Sequence, residues 1–177
     1  PYSFLFANQP YHFSHLSVKD GLSQLNVTCI YQDKLGYIWF GTRNGLNKFN
    51  GNSFEVYWNH ADDPHSISSN IINCMAEDAE GNLWIGTENG LNRLDKNKNE
   101  FKRYHINQQE NKDKNKITSL CLDQQGTLWI GAASEGLFAY TPQGDSLKNI
   151  STKELKGNWV NDIIERDHKL YIASYNK

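Results

Sequence analysis

The chain has 177 residues, of which 38% are hydrophobic and 12% aromatic, and its net charge is −2. This charge gives no electrostatic basis for binding nucleic acid or an anionic membrane surface. No run of residues approaches the ~18 apolar positions of a membrane span. The length is sufficient for one domain with a core of its own.

The chain begins with an apolar segment, Pro1 to Ala7, which precedes the polar pair Asn8-Gln9. This composition fits either the tail of a secretory signal peptide or an N-terminal extension or strand, and the charged region that would distinguish them is absent. We assign residues 1–11 to an N-terminal extension or signal-peptide remnant. Residues 12–177 are assigned to one partial domain.

A turn-strand-turn-strand pattern recurs along the chain. In the central copy, Asp78 and Gly81 mark a tight turn, and Leu83–Thr87 has the composition of a short strand. Asn89-Gly90 is a strong hairpin signal. The copies are separated by 45 residues, as shown by Trp39, Trp84 and Trp129. A period of about 40–50 residues with several strands in each unit is typical of a β-propeller or a related array.

Four strands fit each repeat, from an inner strand at the axis to an outer strand. We therefore predict an all-β fold, a β-propeller fragment of four-stranded antiparallel blades. It has three full blades, a partial fourth and an N-terminal outer strand. The blades cover about residues 26–58, 71–105, 117–150 and 159–177.

Phe13–Leu16 is the predicted N-terminal outer strand, because its sequence is similar to those of the outer strands Phe54–Tyr57 and Phe101–Tyr104. A propeller needs at least about four blades, so these units do not close a ring. We expect the chain to be a fragment of a longer protein. If it folds alone, Lys169–Ser174 is an open edge at which a second copy of the chain can pair to form a homodimer; a homodimer of the longer sensor protein is the alternative.

Structural roles best explain several residues whose side chains could also carry chemistry. Cys29 and Cys74 share one repeat position, where the third repeat has Ser119, so we expect small buried sites and free thiols. The repeated tryptophans are expected to fill the core between blades rather than to stack on sugars. The aspartates of the repeated turn suit bonding to their own turn backbone rather than to a metal ion. They are Asp33, Asp78 and Asp123.

The six histidines show no metal-ligand spacing, and no nucleophile motif or phosphate-binding loop is present. We therefore expect no metal, no cofactor and no catalytic residues. The segment from Ile106 to Lys116 is rich in Asn, Gln and Lys. Its charges of mixed sign are typical of a hydrated loop.

The repeated pattern Asp-x-x-Gly-x-Ile/Leu-Trp-Ile/Phe-Gly-Thr-x-x-Gly-Leu resembles the two-component regulator propeller repeat. The lead-in from Phe13 to Ser23 resembles the start of the sensor region in Bacteroides-type hybrid two-component histidine kinases. The resemblance implies a periplasmic sensor of two propellers, followed by an immunoglobulin-like module, a membrane span, a kinase and a response-regulator part. It also implies that the stimulus is an oligosaccharide. None of the downstream parts lies within these residues.

A binding site is expected where the repeats differ. In a propeller, the turns between second and third strands share one face with the segments that enter the inner strands. The Arg43 guanidinium suits a carboxylate of a uronic acid. Trp159 precedes an inner strand and has no Trp counterpart in the other repeats, which makes it a stacking candidate. The predicted ligand-binding residues are Arg43, Asn44, Glu88, Asn89, Ser134, Glu135, Trp159 and Tyr175.

These observations predict a periplasmic sensor propeller that binds an oligosaccharide non-covalently and is not itself an enzyme. The protein from which it derives would carry a histidine kinase. Two alternatives stay open. One is a lyase or hydrolase propeller of the streptogramin-lyase type, and the other is a propeller that binds a protein partner.

Overall fold

The computed structural model describes residues 13–106, 115–141, 145–155 and 158–175. These residues form antiparallel sheets in which the strands follow one another in chain order. Three sheets have four strands and one has two. The predicted all-β architecture of four-stranded antiparallel blades is therefore confirmed.

The strand bounds show the repeat directly. The first blade contains β1 (Val27–Gln32), β2 (Ile38–Thr42), β3 (Gly45–Phe49) and β4 (Phe54–Tyr57). The second contains β5 (Ile72–Glu77), β6 (Leu83–Thr87), β7 (Gly90–Asp95) and β8 (Glu100–Tyr104). The third contains β9 (Ile117–Leu122), β10 (Leu128–Ala132), β11 (Gly136–Thr141) and β12 (Ser146–Asn149). The fourth sheet contains β13 (Trp159–Arg166) and β14 (Lys169–Tyr175).

The predicted N-terminal outer strand is not formed. Phe13 to Ser17 has no regular secondary structure, and Phe13 is 95% exposed. A strand is stable only where a neighbouring strand accepts its hydrogen bonds, and the described part of the fourth sheet offers only the pair β13–β14. The segment continues instead into a short 3-10 helix, Val18–Asp20, which Ser17 caps. The predicted extension at residues 1–11 lies outside the described residues.

The blades pack through one repeated close contact. A Cβ atom added at Gly86 would lie 2.4 Å from Cys74 Sγ of its own blade and 2.6 Å from Ile117 Cγ2 of the next blade. Gly41 and Gly131 occupy the same position in their blades, with equally short distances. Glycine is therefore required here because the sheets approach too closely for any side chain.

The repeated tryptophans belong to the scaffold, as predicted. Trp39 and Trp84 are 0% and 1% exposed, and each lies in an apolar cluster between neighbouring blades. Trp129 is half-buried against a third cluster, around Val160 and Ile163. Each indole N–H donates to the aspartate six residues earlier, as in Trp84 to Asp78 at 2.8 Å.

Those aspartates also hold the turns, as predicted. Asp33 Oδ1 accepts hydrogen bonds from the backbone N–H groups of Leu35 and Tyr37, both at 3.0 Å. Asp123 Oδ1 accepts the equivalent bonds from Gln125 and Thr127. The repeated Asp is thus an acceptor for both the turn backbone and the indole. This double role explains its place in the pattern.

The three cysteines are free thiols, which confirms the prediction. Burial raises the pKa of Cys29 to about 11 and raises that of Cys74 well above its ordinary value. Such thiols act as small apolar side chains at neutral pH. No helix within the described residues is long and apolar enough to cross a membrane.

Candidate functional site

The turns between second and third strands lie beside the segments that enter the inner strands. Glu88 N–H in the β6–β7 turn donates to the carbonyl of Ile71, the residue immediately before β5. The bond recurs from Arg43 to Asn26 in the first blade and from Ala133 to Lys116 in the third. These backbone bonds fix the two kinds of segment against each other at one end of the blades.

Six of the eight predicted site residues occupy these turns, whereas Trp159 is the first residue of β13 and Tyr175 the last of β14. Arg43 and Asn44 are exposed in the β2–β3 turn, and Asn89 is half-buried next to Glu88. Ser134 has a left-handed backbone (φ 64°) in the longer β10–β11 turn. Glu135 follows it, and its carbonyl accepts a hydrogen bond from the Ser151 hydroxyl at 3.4 Å.

Three of the predicted residues are joined into one array that crosses three blades. Glu88 Oε1 lies 2.8 Å from Lys116 Nζ. The same ammonium group lies 5.4 Å from the centre of the Trp159 ring. Trp159 and Tyr175 are cross-strand partners whose rings stack at 5.9 Å, with 16° between their planes. We call Glu88, Lys116, Trp159 and Tyr175 the ion-aromatic array.

The array combines charge and aromatic surface in a partly open position. The side chains of Glu88 and Lys116 are 32% and 30% exposed. Tyr175 is 47% exposed, whereas Trp159 is half-buried behind it. Tyr175 therefore presents the more accessible ring, and Trp159 supports it. An aromatic ring beside a hydrogen-bonding pair is an arrangement that can hold a ligand with one apolar and one polar side.

Lys116 is the member of the array that lies in the segment predicted to be a hydrated loop. It occupies the position immediately before an inner strand, as do Asn26 and Ile71 at the same 45-residue spacing. The residue type changes at each copy. Comparing this position between repeats, and not only the turns, would have identified Lys116 from the sequence.

Two cavities in the described part of the protein have linings that include no member of the array. One, of about 490 Å³, follows the outer strand β8 and is lined by residues that include Arg93, Phe101 and Arg103. Another, of about 500 Å³, lies along β13 and β14 and includes Ile164 and Tyr171. The side chains of the array are themselves partly exposed at the surface. Among the described residues, no group of His, Cys, Asp and Glu has an arrangement that could hold a metal ion.

The model of the two component regulator propeller family matches three segments of the chain, residues 21–44, 66–89 and 112–134. Each segment begins before an inner strand and ends in the turn after the second strand. The chain thus contains three two-component regulator propeller repeats. The matched segments include Lys116 and Glu88.

Histidine kinase P4 of Formosa agariphila is similar to this chain, with 49% identity over 61 residues. That match covers 34% of this chain and 4% of the kinase. Among solved structures, the extracellular domain of the hybrid two component system BT3049 from Bacteroides thetaiotaomicron is 29% identical, with a TM-score of 0.75. This similarity covers 90% of the chain and 23% of that domain.

The virginiamycin B lyase from Staphylococcus aureus has a similar fold, with a TM-score of 0.65 and 16% identity. The similarity covers 83% of this chain and 48% of the lyase. At this identity the likeness shows the shared fold alone. The chain spans less than a quarter of the BT3049 domain, so it corresponds to only part of that architecture.

Proposed function

Because the chain carries two-component regulator propeller repeats and shares its fold with the extracellular domain of a hybrid two component system, we propose that it is part of a periplasmic sensor. Its ligand is an oligosaccharide, bound without covalent chemistry. Ligand binding shifts a conformational equilibrium, which a histidine kinase elsewhere in the protein reads.

The observation that supports this proposal is the ion-aromatic array. Sugar rings have apolar faces that lie on aromatic side chains and hydroxyl groups that bond to charged ones. Tyr175 offers an accessible ring that stacks on Trp159, and the Glu88–Lys116 pair offers an acceptor and a donor on the Trp159 side of this aromatic pair. The scaffold residues recur between repeats, whereas these residues differ. That difference is what recognition of one asymmetric ligand requires.

Calorimetry of the protein with a panel of oligosaccharides tests the proposal. We expect one class of sugar to bind, and Tyr175→Ala to weaken its binding ~10-fold because the ring platform is lost. Tyr171→Ala is the matched control, since Tyr171 lies on the same strand and is 54% exposed. The Tyr171→Ala variant should bind the sugar as tightly as the unmodified protein does.

Two results would overturn the proposal. One is the absence of binding heat with every member of the panel. The other is turnover of a bound sugar, detected as new products by mass spectrometry, which would assign the protein to the lyase or hydrolase class instead.

A further inference from the structure

In the Glu88–Lys116 pair, hydrogen bonds hold the backbone of each residue in place, whereas the two side chains are free to change conformation. Glu88 lies in a two-residue turn whose N–H bonds to Ile71 at 3.1 Å. Lys116 is held through its carbonyl, which accepts a bond from Ala133 N–H at 3.0 Å. The charged groups themselves are about one-third exposed. They can therefore change partners without any movement of the blades.

A second ion pair in the protein shows what a structural pair looks like here. Lys96 Nζ lies 2.8 Å from Glu77 Oε1, the same distance as in the Glu88–Lys116 pair, but the Glu77 side chain is only 1% exposed. That pair is enclosed and has no access to a ligand. The Glu88–Lys116 pair is partly open to solvent, and an exposed pair of this kind contributes little to stability. An incoming anion can displace it.

We propose that Lys116 determines the specificity of the site and that the ligand is an acidic sugar. The sugar carboxylate replaces Glu88 as the partner of Lys116. This inference rests on the proposed function, since it names the class of oligosaccharide bound at the same array. Glu88 already shows that a carboxylate can reach the ammonium group at 2.8 Å. Because the ammonium lies over Trp159, the bound carboxylate would stand beside the aromatic pair that carries the sugar ring.

This exchange gives the two charged residues opposite effects on affinity. Lys116→Met removes the partner of the sugar carboxylate, and a hydrogen bond to a charged group is worth at least ~10-fold in affinity. Glu88→Gln removes the competing carboxylate, so the acidic sugar should bind ~2–5-fold more tightly. If the ligand were neutral, Glu88 would accept bonds from its hydroxyl groups, and Glu88→Gln would weaken binding.

The test uses uronic-acid oligosaccharides, each compared with its carboxyl-reduced and therefore neutral counterpart, in titration calorimetry. We expect the acidic member to bind at least ~10-fold more tightly. Lys116→Met should abolish that preference, and Lys116→Arg should retain it. Lys98→Met and Glu80→Gln are controls on exposed residues at the opposite end of the second blade, and they should change nothing. Thermal unfolding of each variant shows that it is folded.

Equal or tighter binding of the neutral sugars, with Lys116→Met unchanged, would overturn this inference but leave the proposed function standing. Weaker binding of the acidic sugar by Glu88→Gln would also overturn it. If no sugar of either kind binds, the proposed function itself fails.

Discussion

Lys96 Nζ lies 3.0 Å from Asp33 Oδ2, and this contact joins the second blade to the first turn of the first blade. The Asp33 side chain is fully buried and the Lys96 side chain is 17% exposed. Lys96 also binds Glu77. A single cation thus pairs with two enclosed carboxylates at the boundary between the blades.

Replacing this cation should destabilise the protein strongly. Lys96→Met would leave two carboxylates buried without their partner, which costs about 3 kcal/mol of unfolding free energy. Lys98→Met is the matched control, because Lys98 lies two residues away and its side chain is 71% exposed. Chemical denaturation of both variants measures the difference. Similar losses in the two variants would contradict a specific role for Lys96.

The unfolding free energy of the protein should decrease at acid pH because of Asp33. Burial opposes ionisation of this carboxyl, but hydrogen bonds from the Trp39 indole and Lys96 outweigh it, and its pKa is lowered below 3.8. A carboxyl with a lower pKa in the folded state stabilises the fold above the unfolded pKa and loses that contribution as the pH falls through the folded pKa.

We therefore expect the unfolding free energy to fall below about pH 4. Asp33→Asn should be less stable at pH 7 and lose less stability as the pH falls below about 4, because it has no carboxyl to protonate at this position. Urea titrations at a series of pH values measure both slopes. Parallel curves for the two proteins would rule out this contribution.

Because neighbouring blades approach so closely, adding even one methyl group between them should destabilise the protein. Gly86→Ala would place a Cβ within 3 Å of both Cys74 Sγ and Ile117 Cγ2. We expect a loss of about 1–3 kcal/mol, as for other overpacked cores. Ala173→Gly, at the equivalent but exposed position of the fourth sheet, should cost at most about 1 kcal/mol. Wild-type stability for Gly86→Ala would show that the sheets can separate freely.

One substitution in the third blade, at Ser119, should make the protein more stable. Ser119 is 4% exposed, and its Oγ has no hydrogen-bond partner among the described residues. Cys29 and Cys74 fill the equivalent positions in the first two blades. Ser119→Cys should therefore stabilise the protein by about 1 kcal/mol, because an unsatisfied buried hydroxyl is replaced by an apolar thiol. The melting temperature should rise by roughly 2–4 °C. The reverse change, Cys74→Ser, should lower it.

The sequence alone determined the architecture, because its signals are local. Neighbouring residues specify each turn, such as Asp78 to Gly81, each short strand and the glycine directly after each hairpin turn. The 45-residue period repeats these signals. The close-packed glycines and the core tryptophans could be predicted for the same reason. The strand expected at Phe13–Leu16 is the exception, since a strand also requires a partner.

Tertiary structure decided which variable residues meet. Glu88, Lys116 and Trp159 come from three consecutive blades, and their contacts depend on how far each blade is rotated relative to the next. Differences between the repeats point to Glu88 and Trp159, but the sequence does not show that Lys116 contacts both of them. The Lys96–Asp33 contact links positions 63 residues apart and has no counterpart in the repeated pattern. Contacts of this kind depend on how neighbouring blades pack and on which side chains they enclose, which local sequence does not encode.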